Sequence, residues 1–429
     1  MQVLMSATLD RAYLASAILA ALLAAVCGGV ARAEMRTEHL TSQTGIELIV
    51  TYDPALLAHG YEYTFTLNDA CRTFQDIGQA DHADSISSIA LLRVSDDGKL
   101  SLSEPRVVEF KLLPGLLLNY HRLSNGLYIY QGSFHQNAYG RWSSTYLTIR
   151  PHGGGFVDVK QFAESLQEIS DATVHDVAVV PGLGFIVMRY PYQTQGARKL
   201  IGGAVEIHDP LKGDLLWRWE SNIDLDGDPT AASLPGPFND YMHLNSVEWE
   251  PSRSSFLVSS RTTSTILEIS YPEGKVINRI NCKNWTCIGD PRGGWLHQHD
   301  VRLSADGKFL TLFDNANELG EPKRPSRGVK YQIDFANKRL TFVSEIAAQG
   351  PLPYRYLEGG YYTVSDGTIV MGWGIIDVST CNAVAYKPAP PEDPLFSHLD
   401  PSGRVMLQVS APAGWSTYRA YGYRLDEPW

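Results

Sequence analysis

The chain has 429 residues, of which 44% are hydrophobic, 10% aromatic and 19% charged, and its formal net charge is −11. Such aromatic content at low charge excludes extended disorder. The negative balance argues against a nucleic-acid-binding face, and the single long apolar run excludes a polytopic membrane protein.

That run comes first in the chain. Arg11 supplies positive charge, Leu14 to Val26 form the apolar stretch, and Ala31-Arg32-Ala33 matches a small-x-small cleavage pattern. Residues 1–33 therefore read as a signal peptide, which predicts a periplasmic or secreted protein with no membrane insertion after cleavage. Cys27 follows Val26, which is too large for the usual lipidation site. Export predicts an oxidising compartment. Cys282 and Cys287 enclose only Lys283 to Thr286, which suits a small disulfide loop made with the help of disulfide-forming machinery. Cys71 and Cys381 lie far apart, and their pairing stays open. The cysteine spacing matches no zinc motif.

Beyond residue 40, short β-rich runs alternate with Gly, Pro, Asp and Asn clusters, the pattern of successive hairpins. One kind of hairpin starts polar and ends on a strongly apolar strand. It begins at Tyr120, His175, His243, His299, Tyr361 and Ser397. Asn125-Gly126, Asp306-Gly307 and Asp366-Gly367 suit the tight turns within it. A second kind lies between these, as in LLRVSDDGKLSLSE, LTIRPHGGGFVDVKQF, VEIHDPLKGDLLWRWE, LEISYPEGKVINRI and YQIDFANKRLTFVSEI. One of each makes a four-stranded unit. Units of that size in series predict an all-β chain, a six-bladed β-propeller of four-stranded blades over residues 34–429 with its active site at the central channel. A two-sheet sandwich does not explain the alternation. The wide loops 222–239 and 284–294 are expected over one end of the channel.

In such a fold the polar starts of the first hairpin kind converge. They bring together His175, His243 and His299, with Arg261 closing the hairpin that His243 opens. Asn245, two residues after His243, should face the same way on a strand. Asp176 and Asp300 follow His175 and His299, so they should point away and satisfy backbone groups between blades. His297 could share a face with His299, as metal-binding pairs do, but Arg261 would oppose a cation and no third ligand is evident. His121 and His135 read as surface or loop residues. Gly153 to Gly155 form a hairpin turn and not a phosphate loop, and no GxSxG nucleophile elbow appears.

The blocks DYMHLNSVEWEP, FLVSSRTTSTILEIS and HQHDVRLSADGKFLTLFDNAN resemble the hallmark blocks of bacterial aryl-sulfate sulfotransferases that use no nucleotide donor. GIELIVTYDPALLAHGYEYTF, from Gly45, resembles the family's opening, and WSTYRAYGYRL, from Trp415, its ending. The resemblance implies that His299 is a nucleophile that becomes sulfated, and that His243, Asn245, Arg261 and His175 complete the site. It implies transfer from aryl sulfates to phenols, no cofactor and no metal, and a short disulfide ahead of the nucleophile that Cys282 and Cys287 would fill. Family members carry a separate N-terminal β-domain for dimerisation, whereas about ten mature residues precede the opening block here, which leaves the oligomeric state open. The rival readings are a sulfatase-like or metal-dependent hydrolase and a non-catalytic binding propeller.

Overall fold

The computed structural model describes residues 35–426, apart from 43–44, 58–59, 70–86, 104–115, 124–125, 137–141, 153–154, 160–161, 170–171, 223–238, 317–323, 350–353, 377–392 and 413. The signal segment, Cys71, Cys381, most of the loop 222–239 and the side chain of His135 lie outside the described residues. The described chain is all-β. Its one α-helix is the single turn Glu164–Gln167, and no described helix is long and apolar enough to cross a membrane.

Among the described residues, six sheets of four or more strands follow one another along the chain, with two small ones between. The first sheet holds Tyr61–Asp69, Ser87–Val94 and Leu100–Ser103, and the C-terminal strand Ala420–Arg424 pairs with Tyr61–Asp69. The second is built on Leu116–Arg122, Tyr128–Gln136 and Trp142–His152. The third runs Ala172–Val180, Gly184–Arg189, Ala204–His208, Leu215–Glu220. The fourth runs Leu244–Glu250, Ser255–Ser260, Thr265–Ser270, Val276–Ile280. The fifth starts with His299–Leu303 and continues through Phe309–Asp314, Arg327–Asp334 and Arg339–Ala347. The sixth holds Gly360–Thr363, Ile369–Gly372, Asp393–Leu399 and Val405–Ala411, and the N-terminal strands Glu47–Tyr52 and Arg36–Thr41 add to it.

Two differences from the sequence-based expectation follow. Only the third and fourth sheets have four strands; the others recruit additional strands from loops and from the chain ends. The hairpin at Ser397 opens no sheet of its own, because its strands extend the sheet that Tyr361 begins. Its apolar pattern matches an opening hairpin since both kinds are covered by neighbouring sheets.

Side-chain alternation stacks the sheets. In the strand Ser255–Ser260 every residue is buried. Phe256 and Val258 pack with Ile186, Val205 and Ile207 of the third sheet, while Leu257 packs with Leu310, Leu312 and Val329 of the fifth. Successive residues of a strand face opposite sides, so a strand covered on both faces reads as a continuous apolar run. Tyr63, Phe65 and Leu67 of the first sheet likewise meet Val370, Phe396 and Val409 of the sixth. The opening strands neighbour one another in chain order: Leu116–Arg122 lies against Ala172–Val180, that against Leu244–Glu250, then His299–Leu303, then Gly360–Thr363, then Ala420–Arg424.

Cys282 and Cys287 form a disulfide, with Cα atoms 5.4 Å apart. The chain then folds back over it. At Gly294 (φ +124°) a Cβ would lie 3.0 Å from the Cys282 sulfur, so only glycine fits this crossing. Asp290 accepts from the two terminal guanidinium nitrogens of Arg327 (3.1 Å each), and Gln298 donates to the Ser260 carbonyl (3.1 Å). The loop thus delivers His299 between the fourth and fifth sheets.

Candidate active site

The structure brings the three predicted histidines together. The His175 ring centroid is 4.8 Å from that of His243 and 6.5 Å from that of His299. His299 begins its opening strand, His243 directly precedes one and His175 lies within the first half of one, and in each case the ladder is irregular there, with register shifts between Ala172 and Val177, Leu244 and Ser246, and His299 and Arg302. Such bulges re-aim side chains beside active sites. His243 (φ 48°) and Asp300 (φ 52°) also have left-handed backbones. These irregularities alter two expectations. His297 (φ 53°) precedes the strand, so the simple alternation that would set it beside His299 does not apply. Asn245 lies within the register shift, fully buried, and donates to the Gln298 carbonyl at 2.7 Å. Its amide oxygen has no hydrogen-bond partner among the described residues.

The hairpins return to where they start, and their last residues meet the histidines that open them. The backbone N–H of Arg261 donates to the His243 carbonyl (3.1 Å), and the Arg261 side chain is buried. The Tyr190 hydroxyl lies 3.2 Å from His175 Nδ1; it donates to the Leu244 carbonyl (2.9 Å), so its oxygen accepts from the imidazole. Asn315 Oδ1 lies 2.6 Å from His299 Nδ1. A fourth partner, Asp240, holds His243 twice, through Nδ1 (2.6 Å) and through the backbone N–H (2.8 Å). Sequence reasoning missed Asp240, Tyr190 and Asn315. The signal was present, since Tyr190 and Asn315 close their hairpins as Arg261 does.

Beneath the imidazoles lies a layer of buried charge. Asp176 accepts from the Val177 and Val247 backbone (3.1 and 3.0 Å), from Arg302 (2.9 Å) and from Arg419 (3.0 Å). Asp300 binds Arg302 (2.9 Å) and Arg419 (3.3 Å). Asp176 thus satisfies backbone as expected, whereas Asp300 serves the arginines. Arg419 also donates to the Asn245 carbonyl (2.6 Å). A cavity of about 710 Å³ reaches this layer; Asp176, Arg302, Glu248, His121, Tyr421 and Lys330 are among its lining residues, and none of the three clustered histidines is. His121 therefore lines a cavity and is not a surface residue as expected, and its ring packs against Tyr421 (5.4 Å). Among the described residues no group of three or more His, Cys, Asp or Glu side chains is placed to hold a metal ion.

Burial, reinforced by the Arg261 charge, holds His299 well below the usual imidazole value. Burial and the neighbouring His243 do the same for His175. Burial alone accounts for most of the depression of His121 and His398, each to about 4. Burial pushes Glu248 up to about 7 and Glu358 up to about 8. The depressed histidines bind fewer protons folded than unfolded, so the stability they carry is complete above about pH 6.5 and lost as pH falls. The raised glutamates bind more protons folded, so theirs is lost as pH rises through 7 and 8. On the acid side the four histidines outweigh the two glutamates. The melting temperature should therefore peak in the neighbourhood of pH 6.5. Glu358→Gln, which keeps the neutral form, should flatten the alkaline decline by at least about 1 kcal/mol at pH 8. Scanning calorimetry across pH 5–9 decides this, and a melting temperature still climbing above pH 7 would contradict it.

Residues 230–378 match the arylsulfotransferase (ASST) family model. The matched segment contains His243, Asn245, Arg261 and His299, but not His175. No curated protein matches the chain. Among solved structures it is similar to the periplasmic gluconolactonase of Pseudomonas aeruginosa, at 13% identity and a TM-score of 0.41 over 83% of this chain and 99% of that one. It is also similar to the α-L-arabinanase of Penicillium chrysogenum, at 14% identity and a TM-score of 0.31 over 66% of this chain and 71% of that one. Likeness at that level carries nothing about chemistry.

Proposed function

We propose that this chain of arylsulfotransferase character moves a sulfuryl group from a phenolic sulfate ester to an acceptor phenol through a sulfated His299. The observation that carries the reading is the clustering of His175, His243 and His299 near the Arg261 charge, with His243, Arg261 and His299 inside the segment that the family model matches. A sulfuryl group carries anionic oxygens around one electrophilic centre. Its transfer needs an in-line nucleophile and preorganised donors on the equatorial oxygens, as phosphoryl transfer does.

The lone pair on Nε2 of His299 attacks sulfur, and the bond from sulfur to the aryl oxygen breaks. The departing phenolate takes a proton from His243, whose Nδ1 is held in place by Asp240. Arg261 and the Asn245 amide hold the sulfuryl oxygens, with His175 beside them. The acceptor phenol then gives its proton to His243 and attacks sulfur, the bond from nitrogen to sulfur breaks, and His299 regains its lone pair. Two displacements through a covalent intermediate give ping-pong kinetics.

The matching fold reading is a six-bladed propeller spanning residues 34–429 with the histidines in its channel. Six stacked sheets and the neighbour order of their opening strands support it. The Cys282–Cys287 disulfide supports placing it in an exported, oxidising compartment.

Mixing the pure protein with phenyl sulfate and no acceptor tests the function directly. Intact mass should rise by one sulfuryl group and return on adding a phenol. Release of inorganic sulfate without phenol transfer would mark a hydrolase, and binding without any mass change a non-catalytic module. Arg261→Lys keeps charge but loses the planar fork. It should cost about 2.7–4 kcal/mol of transition-state stabilisation with the melting temperature preserved. A melting temperature that falls while the rate per folded molecule holds would make Arg261 a structural residue.

A further inference from the structure

We propose that Asn315 is the positioning residue of His299: its amide oxygen accepts from Nδ1–H and thereby presents Nε2, with its lone pair, to the substrate. The assignment follows from hydrogen-bond accounting. Asn315 is fully buried. Its Nδ2 lies 2.9 Å from the Glu358 carbonyl and 3.1 Å from the Arg355 carbonyl, and both are acceptors only. The amide nitrogen must therefore point at them, which leaves the oxygen facing His299 Nδ1 at 2.6 Å. An oxygen at that distance requires Nδ1 to carry the proton. The hydrogen bond made by one ring nitrogen sets the state of the other, so Nε2 of neutral His299 is bare.

The support around Asn315 is itself fixed. Ser326 Oγ donates to the Asn315 carbonyl (3.0 Å) and accepts from the Arg355 N–H (2.8 Å), tying the 355–358 segment to the end of the strand Phe309–Asp314. The backbone carbonyls that orient the amide thus cannot drift independently of it.

The comparison with His243 shows what an amide does that a carboxylate would not. Both histidines present Nδ1 to an oxygen at 2.6 Å, from Asp240 in one case and Asn315 in the other. A carboxylate stabilises the imidazolium, which suits a group that takes and returns a proton. A neutral amide fixes the same tautomer; it favours protonation only through its hydrogen bond, without a carboxylate's negative charge and without opposing an anionic donor. The charged or titratable neighbours that act most on His299 include Arg261, His243 and Arg419, with His175 6.5 Å away between ring centroids; Asp300, the next residue, is paired with Arg302 and Arg419. The role of Nε2 as nucleophile rests on the function proposed above, whereas the tautomer does not.

The test uses the full chain labelled with 15N-histidine. Long-range nitrogen–proton spectra, assigned with His299→Gln, should show His299 protonated at Nδ1 and bare at Nε2. Asn315→Asp keeps an acceptor but adds charge, so His299 should titrate at higher pH than in the wild type. Each unit by which its pKa exceeds the assay pH removes about tenfold of the neutral nucleophile. If the chain transfers sulfuryl groups, kcat of Asn315→Asp at pH 7 should fall and recover as pH rises, with KM for phenyl sulfate little changed. A purely structural Asn315 would lower the folded fraction and leave that pH profile in place. Protonation of His299 at Nε2 in the wild type, or an unshifted titration in folded Asn315→Asp, would overturn the proposal whether or not the protein transfers sulfuryl groups. If Asn315→Asp does not fold, the wild-type tautomer decides alone.

Discussion

His299→Ala will neither gain mass from phenyl sulfate nor pass a sulfuryl group to a phenol, while retaining the wild-type melting behaviour to within the loss of one buried ring. His299 has the Arg261 charge beside it, it stays neutral well below the usual range, and its Nδ1 is held at 2.6 Å. A neutral, oriented nitrogen beside a guanidinium is what a two-step displacement requires. The labelled peptide from the wild type should carry the group on His299 and not on His297. His243→Ala and His175→Ala should slow both steps about 10²–10⁴-fold, as loss of proton-transfer or charge-stabilising groups does, without abolishing them. Rapid quench and peptide mapping provide the readouts. Labelling that survives in His299→Ala, or transfer with no covalent species, would exclude His299 as the nucleophile.

Arg419→Met will destabilise the fold by about 3–5 kcal/mol, a cost typical of removing one partner from a buried ion pair. Arg419 is fully buried and ties three sheets to the first, whose strand Ala420–Arg424 it directly precedes: it reaches Asp176 of the third, the Asn245 carbonyl of the fourth and Asp300 of the fifth. Its removal leaves Arg302 alone to neutralise Asp176 and Asp300. Chemical denaturation measures the loss, and adding Asp300→Asn should return part of it, because one uncompensated carboxylate disappears. A loss below about 1 kcal/mol would mean that Arg302 suffices and that Arg419 is not the tie between sheets.

The sequence by itself determined the all-β class, the hairpin units and the candidate histidines. Alternation of period two and turn residues such as Asp306-Gly307 are local properties, and the strands form where that pattern places them. The short spacing of Cys282 and Cys287 was equally local, and the two do pair. What a strand joins is not local. The hairpin at Ser397 has the same pattern as one that opens a sheet, yet it extends another, because hydrogen-bonding edges are offered by the whole fold. The partners of the histidines were also out of reach of simple alternation. His243, His297 and Asp300 take left-handed backbones and three strands slip register at the site, so the rule that residues two apart share a face fails where the chemistry lies. Only the tertiary structure sets Asp240 on His243, Asn315 on His299 and Arg419 between Asp176 and Asp300. Those contacts depend on how separate sheets stack, and sequence periodicity records only which face of a strand is covered, not which residue of another sheet covers it.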